Sequence, residues 1–351
     1  EAYFDYAQAQ CSLGLCDKEG KTYEKLLTND PLHTLARIAL EGQHIRSNPS
    51  IQSDYSYWME DGRGELSQIT RNSFDLTFDF PVSCRYRFTA TGHKWLEYPK
   101  FDNKTYSADG FTLGFNGVIN PFIKSQASWT HKQYSNREIK DRDTGFATVW
   151  LNAKEYVQLG VGYERKDELY NTFGIRHGIQ SDTWWMGFHS DITRTLELHG
   201  TARMLQYNDS NRGYHHTLAL GYALTDHPRT FKITLSGEYR DTQHENLYLY
   251  NGPNLVDIIH PYWTPKGYSG TTVTFQWYHD YSHLFFCGNE LRFYDIRISM
   301  GTDSENNPSV KLEGEWHHEF GKHWAIGLKG MIHSSPKWDA QGIWAQLKYR
   351  F

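Results

Sequence analysis

No stretch of the 351 residues approaches eighteen consecutive apolar positions, which excludes a transmembrane helix. Basic stripes are missing as well. The 36 Lys and Arg are interspersed with 41 Asp and Glu for a net charge of −5, so a nucleic-acid surface has no support. Cysteine is scarce, at Cys11, Cys16, Cys84 and Cys287. No Cys-x-x-Cys-His occurs, which rules out covalent haem, and the spacings fit no zinc module. Proline is sparse at 11 and glycine is 29, so the chain is neither disordered nor collagen-like. What is abundant is aromatic: 24 Tyr, 19 Phe and 12 Trp make up 16% of a chain that is only 38% hydrophobic. With a mean hydropathy of −0.69, that loading needs a structural reason.

Cys11 and Cys16 are close enough to bridge locally in an oxidising compartment, and two buried thiols on a helix are the alternative. The chain opens at Glu1 without a visible signal peptide, as a processed or partly observed chain would.

Two regions differ in period. Within residues 1–45, Tyr23, Leu26, Leu27, Leu35, Ala36, Ile38 and Ala39 recur at helical spacing, with Pro31 between two pieces. From Ile51 onward the period is two. Phe74, Leu76, Phe78 and Phe80 alternate with Asp75, Thr77 and Asp79; Val310, Leu312, Gly314 and Trp316 alternate with Lys311, Glu313, Glu315 and His317. A soluble sandwich also gives this alternation.

The connections decide. Sixteen strand segments are legible between residues 51 and 351, among them 71–80, 84–96, 156–166, 230–240 and 284–301. Their connections run long, short, long, short along the chain, the layout of an up-and-down antiparallel outer-membrane β-barrel. Residues 1–48 are then a periplasmic helical segment and 49–351 an all-β transmembrane barrel. An even strand number returns Phe351 to the periplasmic side, where the helices lie. Trp58, Trp95, Trp129, Trp184, Trp185, Trp277, Trp324 and Trp344 are expected in interfacial girdles.

Sixteen strands enclose an aqueous channel. Strand parity points Asp75, Asp79, Arg85, Arg87, Glu164, Lys232, Glu238, Arg240, Asp295, Arg297, Lys311, Glu313, Glu315 and Lys329 inward. Glu313, Glu315 and Glu319 form either a cation-favouring strip or part of an ordinary polar wall. The longest connection carries Asp257, His260, Tyr262 and Trp263 among three prolines. It is expected to pack into the barrel mouth as a lid or as a structural plug. No catalytic residue, cofactor or metal ligand is assigned: His215-His216 and His317-His318 belong to no motif, and neighbours in a strand point to opposite faces.

Lys18, Glu24, Leu27, Asp30 and Pro31, followed by Ala36 and Ala39, resemble a tetratricopeptide-repeat helix running into the next. With the Ser47-Asn48-Pro49 junction, the strand count and the aromatic end Tyr349-Arg350-Phe351, the chain resembles bacterial exopolysaccharide export porins for cellulose or poly-N-acetylglucosamine. The family carries many repeats where this chain has about one. The resemblance implies a non-catalytic conduit in the Gram-negative outer membrane for a biofilm polysaccharide. It also implies that the helical segment recruits a periplasmic modifying enzyme or the inner-membrane synthase, and that the barrel-assembly machinery reads Phe351. Rivals are a general or substrate-selective diffusion porin, a barrel sheath around a cytochrome electron conduit, and a barrel hydrolase.

Overall fold

The computed structural model describes the chain except residues 63–66, 101–103, 155, 246–247, 252–255 and 260; of 67, 154, 248–251 and 256–259 only the backbone is described. Three helices lead: α1 (Ala2–Ser12), α2 (Cys16–Asn29) and α3 (Thr34–Arg46). The first strands are β1 (Ser50–Gly62), β2 (Ser67–Pro81), β3 (Tyr86–Pro99), β4 (Tyr106–Asn120), β5 (Ile123–Tyr134), β6 (Arg142–Lys154) and β7 (Val157–Asp167). A short helix, α4 (Thr172–His177), precedes β8 (Gln180–Asp191), β9 (Leu196–Tyr207), β10 (Arg212–Ala223) and β11 (Arg229–Thr242). The short pair β12 (Tyr248–Asn251) and β13 (Val256–Ile259) forms a separate hairpin. The last strands are β14 (Tyr268–Asp280), β15 (Arg292–Asp303), β16 (Pro308–Phe320), β17 (Trp324–Ser334) and β18 (Trp338–Arg350).

Among the described residues, sixteen strands close into one antiparallel barrel, β18 pairing with β1 from Ser50↔Arg350 to Gly62↔Trp338. Closure satisfies every ladder, as a sheet in hydrocarbon requires. The chain has the fold class of an outer-membrane porin.

The outer face follows from alternation. Phe74, Leu76, Phe78 and Phe80 are 41–51% exposed, and Val161, Met186, Leu218, Leu235, Ile332 and Ile343 are similarly bare. Such a continuous apolar band is tolerated against lipid and not against water. Residues of opposite parity face inward. Register shifts fall at Val118/Asn120 and Asn152/Lys154, beside turns, so parity holds along each strand body.

One boundary differs from the sequence reading. The strand expected over 284–301 begins at Arg292, and residues 281–291 form a long connection at the end bearing the termini. Of its apolar run, Phe286 packs into the helical core of Ala7, Tyr23, Leu26, Ala36 and Ala39, edge-on to Phe4 at 5.6 Å, while Phe285 stays exposed and meets His227 edge-on. Gly288 lies at φ +106°, and its carbonyl meets Gly42 of α3 so closely that a Cβ there would collide. Two small residues permit this contact of loop and helix.

Candidate functional site: the lumen and its two mouths

At the termini end the helical segment crosses the mouth as a strap. Cys11 is bonded to Cys287, and Cys16 to Cys84 in the β2–β3 turn. The local Cys11–Cys16 bridge is therefore not formed. Each cysteine ends a different helix, α1 and α2, and each finds a partner on the barrel instead. Anchors at the β2–β3 and β14–β15 connections sit far apart around the rim. Between them Gln8 exchanges hydrogen bonds with the Cys287 backbone: its amide oxygen accepts at 2.7 Å and its amide nitrogen donates at 3.3 Å. Lys322 donates to Ile38 O at 3.1 Å and pairs with Glu41 at 2.5 Å. Arg87 donates to Arg46 O at 3.1 Å. Within the strap, on α2, Glu19 is 1% exposed with Oε1 unpartnered, and burial pushes its carboxyl up to about 7 against the opposing pull of Arg46. Burial also raises the Tyr23 hydroxyl to about 12, with Glu19 beside it.

The barrel wall is charged but internally paired. Asp79 is paired with Arg87 at 2.6 Å, Asp75 with His93 at 2.7 Å, Lys232 with Glu197 at 2.9 Å and Arg240 with Glu238 at 2.9 Å. Asp295 pairs with Arg297, Lys311 with Glu313 at 2.9 Å, and Glu315 lies opposite Lys329 in the register. Glu164 lies opposite Thr183 on the inner face. Glu319 is held by Arg350 at 2.5 Å. The acidic strip is thus interleaved with cations, which removes the net field it would need to favour a cationic solute. Arg85 sits in the β2–β3 turn rather than on a strand, so it belongs to the rim and not to the wall. His215 faces inward to Glu238 at 3.4 Å while His216 stacks on Tyr239, the opposite-face geometry of neighbours in a strand.

Four of the eight girdle tryptophans also need reassignment. Trp129, Trp184, Trp277 and Trp324 share the outer parity. Trp58 opposes Gly342, Trp344 opposes Ser56, Trp95 opposes Ser73 and Trp185 opposes Gly162, which puts all four in the lumen. Composition gave the aromatic excess, but only register separates the two faces.

The opposite mouth is narrowed by loops that fold inward. Tyr262 is fully buried, stacked on Tyr207 at 4.1 Å, with its hydroxyl donating to Asp209 at 2.8 Å. Trp263 lies under Arg240, 4.9 Å from the ring, and edge-on to Tyr268. Of their loop partners, Asp257 has only its backbone described and His260 lies outside the described residues. Sequence reading missed the larger partner, residues 168–179 with α4. Ile175 packs onto Ile69, Tyr106, Ala108, Tyr134 and Ile139. Beside it Lys132, 6% exposed in its side chain, pairs with Glu97, and Arg142 with Asp167 at 3.6 Å. The available signal was an apolar Ile175–Ile179 spacing inside a stretch taken for polar loop.

At this same mouth, running down to mid-barrel, lies a cavity of about 970 Å³, lined by Glu238, Arg240, Trp263, Lys311, His333 and Trp338 among others. Its lining mixes Thr, Ser and Gly with ion-paired side chains.

No protein-family model matches the chain, and no curated protein does. Among solved structures it is similar to a bacterial polysaccharide outer membrane secretin, with a TM-score of 0.67 at 10% identity over 87% of this chain and 99% of that one. Pseudomonas aeruginosa OccK8 (OprE) and OpdQ follow with TM-scores of 0.44 and 0.41 at 10% and 11% identity, each over 87% of this chain and 98% of its own. At these identities the first likeness is one of fold, and the other two carry no argument.

Proposed function

We propose that the chain is an outer-membrane channel that passes a hydrated glycan outward without catalysing a reaction on it. The observation that carries this reading is a closed sixteen-strand barrel with a polar, ion-paired inner wall, which opens at its loop end into a cavity of about 970 Å³. A filled barrel would bury apolar side chains there; this one keeps charge and hydroxyls. The strap end faces the periplasm in this reading, where oxidising conditions sustain both disulfides. The helices present the surface that a periplasmic modifying enzyme or the synthase would meet, and Phe351, 57% exposed, is free for assembly factors to read. The helix pair α2–α3 around Pro31 serves in this reading as a tetratricopeptide-like element.

A substrate-selective diffusion porin is the second reading, favoured by the interleaving of acidic residues with cations along the wall. Planar-bilayer recordings of the oxidised protein decide between these and a plug. Steady conductance that an added polysaccharide blocks supports glycan passage. Conductance blocked only by small solutes supports the porin. A protein silent both oxidised and reduced overturns the channel.

A further inference from the structure

Four lumenal tryptophans are laid flat on the wall by glycines. On β18 and β1, the rings of Trp344 and Trp58 both cross Gly342, where any Cβ would collide with them; their centroids are 6.1 Å apart. On β6 and β8, Trp150 lies over Gly160 and Trp185 over Gly162, at 2.8 Å and 2.5 Å from where a Cβ would stand, with centroids 5.6 Å apart. The two pairs stand on far-separated parts of the wall, β18–β1 and β6–β8. Each glycine shares the inner face with its tryptophan, through direct cross-strand pairing or two-residue spacing.

None of these four side chains joins a buried apolar cluster among the described residues. All four are half-buried on the inner face, and the part of each ring left exposed meets a polar wall, which costs free energy unless something apolar is laid on it. Trp95 is different: His93 stacks parallel on it at 4.6 Å, so its ring is already covered by another ring. On the first platform Arg71 lies over the Trp58 ring at 5.9 Å and Lys329 over the Trp344 ring at 5.5 Å, so a sugar stacking there displaces both cations. An indole face carries the negative side of the ring quadrupole. The axial C–H face of a pyranose carries the complementary partial charge, and once Arg71 and Lys329 are displaced from the ring faces they are at hand to donate to its equatorial hydroxyls.

We infer that the Trp58–Trp344 and Trp150–Trp185 platforms are two stacking sites for neutral pyranose units of a glycan within the lumen. The inference rests on the channel reading and adds where the polymer is held and by what chemistry. Glycine at 160, 162 and 342 lowers the rings against the wall, so they grip a sugar without narrowing the passage. Because stacking is uncharged, affinity at these sites is insensitive to salt, unlike binding to the ion-paired wall.

The test is calorimetric titration of the intact, detergent-solubilised protein with cellohexaose and maltohexaose, and with a glucosamine hexamer as the cationic control. The expected result is binding of at least one neutral hexaose that changes less than twofold between 50 mM and 500 mM salt. W58A/W344A and W150A/W185A should each weaken it at least tenfold, and the corresponding Trp→Phe pairs by less than threefold. Binding of neither hexaose, or binding that both Ala pairs leave intact, overturns the inference, as does binding confined to the cationic hexamer. Single-channel conductance of the same samples separates the two levels. An open channel without hexaose binding removes only the platforms, whereas a silent protein without binding removes the channel reading with them. Heat-modifiable gel mobility of the Ala pairs checks that each barrel has closed.

Discussion

The two ends of this barrel are closed by opposite means. At the termini end three helices are fastened by two disulfides, a few rim hydrogen bonds and one inserted phenylalanine. At the other end nothing among the described residues is covalent: loops 168–179 and 261–264 hold themselves in with a small apolar core, stacked tyrosines and a buried charge network. A covalent fastening is insensitive to membrane, salt and ligand but yields to reduction. A non-covalent one has a stability of a few kcal/mol and answers to anything that binds or displaces it. The first suits a strap that must stay in place, and the second a mouth whose closure can be undone without chemistry.

The comparison breaks most visibly if the covalent side is cut. Reduction, or the quadruple variant C11A/C16A/C84A/C287A, should raise mean single-channel conductance at least threefold as the strap leaves the mouth. An unchanged conductance would mean that the strap lies beside the aqueous path. The non-covalent side should respond to a single charge. K132A leaves Glu97 buried without its cation, a loss of about 3–5 kcal/mol for such pairs. Hydrogen exchange at the Ile175 and Ile179 amides should accelerate at least a hundredfold while strap amides stay protected. Equal protection in both variants would dissolve the distinction.

A smaller effect is expected from Tyr262→Phe, which keeps the stack on Tyr207 but removes the hydroxyl bonded to Asp209 and Asn211. Leaving those partners unpaired costs about 1–3 kcal/mol. The readout is faster exchange at the Asn211 and Tyr207 amides.

The smallest effect is a pH dependence at the strap. Buried Glu19 titrates near 7 in the folded protein against an ordinary value of 4.5. The folded state thus keeps a proton that the unfolded chain has released. Docking is most stable below about pH 4.5, weakens as pH rises to about 7, and levels off above it. Glu19→Gln should flatten that slope and protect strap amides better than the native residue at pH 8. A slope that survives the substitution would assign it to another group.

The barrel was legible because its physics is local. Period-two alternation at Phe74–Phe80 and Val310–Trp316 sets the faces, and the even strand number brings Pro49 to Phe351, whose amide donates to it at 3.1 Å. The sites were less so. The inner-face assignment of Asp75 or Glu238 follows from parity, but whether a charge there is free or paired depends on a neighbour distant in sequence. Glu197 and Lys232, or Glu319 and Arg350, show nothing to a reader of one strand. Phe286 read as part of a strand because an apolar residue looks alike whether it meets lipid or a helix. The disulfides were missed for the same reason: closeness in sequence offered a local Cys11–Cys16 bridge or two buried thiols, and the fold holds the two cysteines to different parts of the rim. The excess of tryptophan was visible from composition, while its division between lipid and lumen required register.

That cysteine pairing has a consequence for biogenesis. A chain delivered from its N-terminus exposes Cys11 and Cys16 together, then Cys84, and Cys287 only near the end. Oxidation in order of emergence would join Cys11 to Cys16 and Cys84 to Cys287. The native bridges span sequence separations of 276 and 68, one nested inside the other. Maturation therefore calls for thiol exchange by an isomerase and not by an oxidase alone. Cells lacking that isomerase should accumulate a Cys11–Cys16 peptide in digests of the unreduced protein, and its absence there would mean that the strap folds before its thiols react.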